Sequence, residues 1–406
     1  MDIIVIMILL LFLIAITYLE RRKHNRYLQS IPIRIHINGT RGKSSVARLI
    51  AAGLRQAGLK TLCKTTGSEA KLVLGNKDEI TIKRGCIPNI IEQCKVVEFA
   101  ESYRADVLIV ECMALKPELQ AYSELSLVKS THGVITNSGP DHLDVMGPTE
   151  RDVAKALAGT VPVNGKLYTN EKKYLNIFKK AAADRNSQLV ALIASNSISS
   201  ADMNGFSYIE HQENVALALS VCRDLGVDRQ TALQGMWQST PDLGAMDIKQ
   251  LTWQETQLIL VNAFAANDPL SSKLCWEQAL ERLVDNSHKI MLVNCRADRR
   301  ERSIQLGKMC ASLTDIDKLF VLGTGRQAFI KTAMQHGVAA ELIEVPIDQT
   351  SKSLVEQFTL LGGHKLLVVG IGNIKGVAAD LLAFFSRRSS SSSSSNIVDV
   401  LEVNFG

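Results

Sequence analysis

Residues 35–58 read IHINGTRGKSSVARLIAAGLRQAG: a strand-like apolar run, a bend built on Gly39 and Gly42, and a stretch of helical period. A buried strand that enters a glycine bend and leaves as a helix is the repeating unit of open α/β sheets, so this one stretch narrows the fold class sharply. The rest of the chain continues the alternation. IRIHI (33–37), TLCKT (61–65), DVLIVE (106–111), GVITN (133–137) and KLYTN (166–170) read as strands. Val46, Leu49, Ile50, Ala52 and Leu54 give residues 43–56 an apolar helix face, and NVALALSVCRDLGV (214–227) is a second amphipathic helix closed by Gly226. After the turn-rich STPDLGAMDI (239–248), which reads as a hinge, the alternation restarts. QLILVNAF (257–264), a helix over 271–284, HKIMLVNC (288–295), DKLFVLG (317–323) and HKLLVVGIGN (364–373) form a smaller Rossmann-like block. A chain of 406 residues is long enough for two such domains.

The two ends read differently. Residues 3–19, IIVIMILLLFLIAITYL, are apolar on every face, and as a helix they extend about 26 Å, close to a bilayer's hydrocarbon thickness. Arg21, Arg22, Lys23 and Arg26 follow, so the positive-inside rule predicts a single-pass anchor with the remainder of the chain cytoplasmic. A cleaved signal peptide would need a basic stretch before the apolar run, where only Asp2 stands apart from the initiator. This basic flank with Glu20 supplies +3 of the formal charge of +5, leaving the body near neutral and excluding a nucleic-acid partner. The 8 cysteines are scattered without metal-ligand spacing and read as core thiols in a reducing compartment. The serine run 389–395 and the tail beyond it are predicted to be disordered. The expected organisation is an anchor and juxtamembrane segment over 1–26, an ATP-binding domain over 27–245, a C-terminal domain over 246–386 and a disordered tail over 387–406.

The general phosphate-binding loop, G-x-x-x-x-G-K-[ST], would need glycine where Ile37 stands; here the bend is the shorter Gly39-Thr40-Arg41-Gly42-Lys43-Ser44-Ser45. The physics survives the shortening. Backbone N–H groups and a helix N-terminus face an anion, Lys43 can reach β/γ-phosphate oxygens, and the Ser44 hydroxyl can ligate Mg²⁺. An ordinary glycine turn before a helix is the plain alternative. Glu111 ends another strand, at the edge where open α/β sheets bind ligands. Asn137, Asp141, His142 and Asp144 follow a third strand; His142, flanked by carboxylates, is expected in a metal or phosphate role, with a core-satisfied imidazole as the plain alternative.

These strings together resemble the Mur ligase superfamily of ATP-dependent amide-forming enzymes. They are GTRGKSS, the strand-end Glu111, N-x-x-x-D-H-x-D over 137–144, and Asn214 heading a helix. Within it, ECMA, DHLDVMGPT, NAFAANDP, NCRADR and GIGNIKG are similar to the membrane-anchored poly-γ-glutamate synthase ligases. The resemblance spans residues 31–385. It implies a P-loop central ATPase domain with a smaller Rossmann-like C-terminal domain. It implies that Gly39, Gly42, Lys43 and Ser44 hold ATP phosphates and Mg²⁺, with Glu111 and His142 as further metal ligands and Lys43, Glu111 and His142 as the catalytic set. Thr40, Arg41 and Ser45 complete the loop. Asn214 takes a place near the adenine, Asn262, Asn267 and Asp268 take that of the loop opening the C-terminal domain, and Arg296, Asp298 and Arg299 that of a substrate or phosphate contact. Arg299, inside RADRRER, reads equally as solvated charge.

Departures from the superfamily sharpen the substrate expectation. The loop arrives by residue 39, leaving no domain for a UDP-linked sugar. Gly244-Ala245-Met246 replaces the G-R-M hinge, and the carbamylated lysine of many members has no clear counterpart, Lys155 lying in the right neighbourhood without a matching register. The expected function is extension of poly-γ-glutamate by glutamate through an acyl phosphate, releasing ADP and phosphate. Integral membrane partners of an export complex are expected, and homo-oligomer formation stays open. Lys64, Lys71, Lys83 and Arg84 are either a path for the polyanion or solvated charge. A folylpolyglutamate-synthase-like ligase and a membrane-tethered P-loop NTPase acting as a switch or motor are the rival readings.

Overall fold

The computed structural model describes residues 2–66, 70–75, 78–83, 89–192, 198–206, 208, 210–241, 247–264, 269–283, 288–389 and 401–404. The chain divides into two compact units, Met1–Asp242 with Asp399–Gly406, and Leu243–Val398.

The first unit opens with helix α1 (Asp2–Ser30). Its apolar run is exposed, whereas Leu28 and the following Ile31 are buried among Leu62, Val96, Val97 and Ala100. Nine strands form one sheet: β1 (Ile33–Asn38), β2 (Thr61–Thr65), β3 (Lys71–Val73), β4 (Glu79–Lys83), β5 (Val107–Glu111), β6 (His132–Ile135), β7 (Lys166–Thr169), β8 (Gln188–Ala191) and, from the far end of the chain, β15 (Leu401–Asn404). Their order is β15-β4-β3-β2-β5-β1-β6-β7-β8. From β2 to β8 the pairing is parallel, while β3 joins β2 and β4 antiparallel. The strands of the parallel part are near-continuous apolar runs because helices cover both faces.

Helix α2 (Lys43–Gln56) returns from β1, and its residues from Val46 to Leu54 are all buried. Two glycines make this burial possible. A Cβ on Gly53 would lie 2.9 Å from Cys222 Sγ, and one on Gly235 would lie 2.4 Å from the Ala52 carbonyl, so the helices Gln212–Asp224 and Arg229–Trp237 pack tightly on α2. Helix α3 (Glu92–Ser102) lies beside α1 and supplies Val96, Val97 and Ala100 to the core.

Among the described residues the second unit holds a six-stranded sheet of order β13-β12-β11-β14-β10-β9. Its strands are β9 (Asp247–Trp253), β10 (Thr256–Asn262), β11 (His288–Cys295), β12 (Lys318–Gly323), β13 (Ile343–Glu344) and β14 (Lys365–Gly372), all parallel except β9. Phe264, Phe320, Phe358 and Phe385 fill its core.

The expected tail differs in two places. The last helix runs Val377–Ser389, through the arginines and into the serine run, and Leu401–Asn404 pair in parallel with β4. The stretch LEVN alternates apolar and polar residues and so suits a sheet edge, a pattern that the neighbouring serine run masks in the composition.

Candidate functional site

The register of the parallel strands assembles the site. Glu111 of β5 pairs with Ile37, and Asn38 pairs with Ile135 of β6, so the bend at Gly39, the Glu111 carboxylate and the loop after β6 emerge at one carboxyl edge. The chain leaves β1 toward β2 and resumes on the other side of β1 with β6, so the loops diverge there and leave a crevice. A cavity of about 340 Å³ occupies it. Gly39, Lys43, Thr66, Glu111, Asp141 and His142 contribute to its wall, with Leu115 and Met146 on the apolar side.

The bend is held from behind. Gly39 has φ +136°, and a Cβ there would sit 2.0 Å from Thr136 Oγ1. Gly42 takes the left-handed conformation at the N-cap of α2, where a Cβ would lie 2.7 Å from Asn214 Oδ1. Asn137 Oδ1 accepts from Thr40 Oγ1 at 2.6 Å and from the Arg41 N–H at 3.0 Å, and Asn137 Nδ2 donates to the Arg41 carbonyl at 3.2 Å. Thr136 Oγ1 donates to the same carbonyl at 2.6 Å, and the Gly39 N–H donates to Asn38 Oδ1 at 2.8 Å. The structure uses Asn137 as a brace, with its amide committed to the loop.

Three groups on this edge can act on a ligand. Lys43 Nζ folds back to donate to the Gly39 carbonyl at 2.7 Å, a bond that an incoming phosphate oxygen can replace. Ser44 Oγ donates to Glu111 Oε2 at 2.8 Å, and the Thr66 N–H donates to the same oxygen at 2.7 Å, which fixes the carboxylate. The half-exposed His142 has φ +44° and places Nε2 3.9 Å from Asp141 Oδ1. Asp141 also lies 3.8 Å from Arg41 Nη2. Hydroxyl and carboxylate oxygens set side by side suit a hard divalent cation, and a histidine nitrogen extends the set toward Mn²⁺. Among the described residues no three His, Cys, Asp or Glu side chains converge, so phosphate and water oxygens would complete such a coordination shell.

Beneath the loop lie groups that the sequence did not single out. His36 on β1 is fully buried, with Nδ1 2.8 Å from Glu124 Oε2, while Glu124 Oε1 accepts from the Ser130 N–H and hydroxyl. Burial alone would lower the imidazole pKa, yet the adjoining Cys112 thiol and Glu124 carboxylate outweigh it and raise it to about 9. Glu210, also buried, accepts from Asn214 Nδ2 at 2.9 Å and from the His211 N–H at 2.8 Å. Its desolvation raises the carboxyl pKa despite those two bonds and the His211 charge. Asn214 therefore joins this buried carboxyl to Gly42. Thr66 carried one sequence signal, its place at the end of an apolar strand.

Other expected residues fall elsewhere. Ser45 lies in the first turn of α2. Asp144 is exposed on a short helical turn, and Lys155 is exposed and paired with Asp152 at 2.9 Å. Lys64 is fully buried and paired with Glu92 at 2.9 Å; Lys71 pairs with Glu79 at 2.8 Å, the carboxylate that also takes Arg48. Two of the four cations considered for a polyanion path are thus neutralised within the fold. Lys83 is exposed, and Arg84 lies outside the described residues.

In the second unit, Asn262 ends β10 and its Oδ1 accepts from the Phe264 N–H at 3.4 Å. Arg296 binds Asp298 through two bonds of 3.0 and 2.7 Å, with Arg299 3.9 Å from the same carboxylate. Asn267, Asp268 and the hinge residues Gly244-Ala245-Met246 lie outside the described residues.

Comparison with known proteins gives this geometry its family. The Mur ligase middle domain matches residues 37–238, and the poly-gamma-glutamate synthase CapB C-terminal domain matches residues 248–388. The capsule biosynthesis protein CapB of Bacillus anthracis is 38% identical over 382 residues, covering 91% of this chain and 80% of that protein. The chain belongs to the poly-γ-glutamate synthase CapB family. The PGA synthase CapB of Bacillus subtilis (strain 168) is 36% identical over 375 residues, covering 91% of this chain and 94% of that protein. A bifunctional folylpolyglutamate synthase/dihydrofolate synthase from Yersinia pestis, complexed with AMPPNP and Mn ion, superimposes with a TM-score of 0.66. It is 14% identical and covers 90% of this chain and 92% of that one, so it shares the fold. Membership in the CapB family makes this chain an ATP-dependent amide-forming ligase with a Mur-ligase-like α/β fold. The described residues also include one helix, Ile3–Ser30, long and apolar enough to cross a membrane.

Proposed function

We propose that this chain extends poly-γ-glutamate by one glutamate at a time, activating a carboxylate as an acyl phosphate at the expense of ATP. One observation carries the reading: Gly39 of the braced bend, Lys43 and Glu111, the carboxylate that takes the Ser44 hydroxyl, line a single cavity at the carboxyl edge of the parallel strands. ADP and phosphate would be the other products.

The N–H groups of the bend and of the first turn of α2 are the donors for the phosphates, and Lys43 moves from the Gly39 carbonyl to the terminal phosphate. Ser44, Glu111 and His142 would hold Mg²⁺, which when bound supplies charge neutralisation at the phosphates. An oxygen of the glutamate γ-carboxylate attacks the γ-phosphorus as the bond to the β-phosphate oxygen breaks. The amine of the incoming glutamate then attacks the acyl carbon, phosphate departs, and the nitrogen gives up its proton to solvent. Lys43 stabilises the charge spread over the transferred group. Asn214 is assigned a place near the adenine, and Asn262, Asn267, Asp268 and Arg296 contacts to nucleotide or substrate. Residues 1–26 anchor the enzyme with its catalytic domains in the cytoplasm, where integral membrane partners take up the polymer.

Membranes bearing the wild type or Lys43→Ala, incubated with ATP, Mg²⁺ and labelled glutamate, test this by sizing of γ-linked product. Product is expected from the wild type only, and offering folate together with the glutamate should give no glutamylated folate. Equal synthesis by the variant would overturn the reading.

A further inference from the structure

We propose that the edge of the first sheet carrying the candidate site is turned toward the membrane and rests on its lipid surface. The proposal depends on the reading that α1 spans a bilayer, and the argument concerns which way the body hangs from it.

Only Ile31 and Pro32 separate α1 from β1, so the helix must run back against the strand. Contacts along α1 fix its direction. Glu20 is near enough to Cys94 to raise its thiol pKa, Lys23 Nζ donates to Glu98 Oε1 at 2.8 Å, and the two helices lead into neighbouring strands, where the Ile33 N–H donates to the Asp106 carbonyl at 3.3 Å. Helix α1 therefore runs alongside α3 in the same direction. The start of α3 is at the site edge, because Glu92 pairs with Lys64 near the carboxyl end of β2. Following α1 backward from Ser30 thus leads up to the site edge.

The lengths agree. Ser30 to Ile16 is about 21 Å of helix, and the six residues of β1 span about 20 Å, so Ile16 stands level with the strand ends. Among the large apolar residues of the run exposure is lowest at that point: Ile3 to Ile14 are 51–75% exposed and Tyr18 and Leu19 63% and 60%, against 37% for Ile16. Ile16 lies inside the apolar run. A bilayer that takes up residues 3–19 must then meet the body at the level of the site.

The surface there has the composition of a lipid-facing one. Ile91 at the N-cap of α3 is 58% exposed, and Leu115 and Leu119 beyond β5 are 40% and 38% exposed, Leu115 also lining the cavity. Arg21, Arg22 and Lys116 are exposed cations suited to an anionic leaflet. The joint is stiff. Arg34 Nη1 donates to the Leu28 and Ile31 carbonyls at 3.0 and 2.6 Å and Arg34 Nε to the Lys129 carbonyl at 2.9 Å, while His24 Nε2 donates to the Leu127 carbonyl at 2.8 Å. The cavity then opens at the membrane surface, and a polymer made there is released beside the bilayer.

The test is tryptophan quenching in the full chain, reconstituted in anionic vesicles with brominated acyl chains. Leu115→Trp and Ile91→Trp probe the site edge, and Asn186→Trp, exposed just before β8, probes the opposite edge. The emission added over the parent, which has 3 tryptophans, should be quenched at least twofold for both site-edge variants and unchanged for Asn186→Trp. Flotation is measured on the same samples. Chains that float with both site-edge probes unquenched would overturn the orientation, leaving that face to a second copy or another protein. Chains that fail to float would overturn the anchor reading, and with it the proposal. Two probe positions keep the test decisive if one variant misfolds.

Discussion

The two sheets end in loops of different character. At the carboxyl end of β1, the polar groups behind the bend, Asn38, Thr136 and Asn137, hold backbone in place, while Lys43 rests on a carbonyl it can exchange for a ligand. At the carboxyl ends of β11 and β14, polar groups mainly satisfy one another. Asn294 Nδ2 donates to the Asn373 and Lys375 carbonyls at 2.5 and 2.9 Å, Asn373 Nδ2 donates back to the Asn294 carbonyl at 3.0 Å, and Arg296 is closed on Asp298. The first edge is preorganised with a charge in reserve; the second is knitted together. Preorganised donors aimed at developing charge are worth most in catalysis, whereas mutually satisfied amides chiefly specify the local fold.

The largest expected effect breaks the first edge. Lys43→Ala should lower ATP-dependent glutamate incorporation by about 10³-fold, with the melting temperature unchanged, as read by product sizing beside a thermal melt. Next comes the support beneath the loop. Glu124→Ala should cost about 3–5 kcal/mol in urea unfolding, because it leaves His36 buried without its carboxylate. The same pair makes a pH prediction. The folded pKa of His36, about 9, lies above the ordinary 6.5, so the stabilisation is complete below about pH 6.5 and is lost as pH rises through about 9. Unfolding curves for the wild type should show that loss, and those for a His36→Asn variant should be flat across the window.

Gly39→Ala should cost about 2–3 kcal/mol and weaken nucleotide binding, since the new methyl meets Thr136 and the backbone has positive φ. At the second edge, Asn294→Ala should cost about 1–3 kcal/mol in stability with nucleotide affinity retained, measurable by calorimetry. The smallest effect belongs to Arg296→Ala, an exposed ion pair whose loss should change stability by less than about 1 kcal/mol. A large fall in its glutamate incorporation would show that the second edge also touches substrate, and would blur the contrast.

Much of the architecture was legible because the signals were local. The period of residues 43–56 and the run HKIMLVNC gave the bounds of α2 and β11 to the residue. The short antiparallel strands β3 and β4 were not anticipated, since strands of 3 and 5 residues rich in charge carry little pattern and their stability comes from the neighbouring sheet. In the site, Gly39, Lys43, Ser44 and Glu111 were readable as residue types at strand ends. The brace at Asn137 was not readable, because an asparagine after a strand looks the same whether it holds backbone or meets a ligand. Lys64 was read as either part of a path for a polyanion or solvated charge, and only the tertiary structure shows it buried against Glu92.

The sequence by itself determined the strand–bend–helix unit, the apolar span and the residues able to meet a phosphate, because each rests on neighbours within a few positions. Only the tertiary structure decided that Glu111 receives the Ser44 hydroxyl, that Asn214 packs on Gly42, and that α1 lies along α3. Those facts depend on strand register and helix packing between segments tens to hundreds of residues apart, where spacing along the chain carries no information about distance in space.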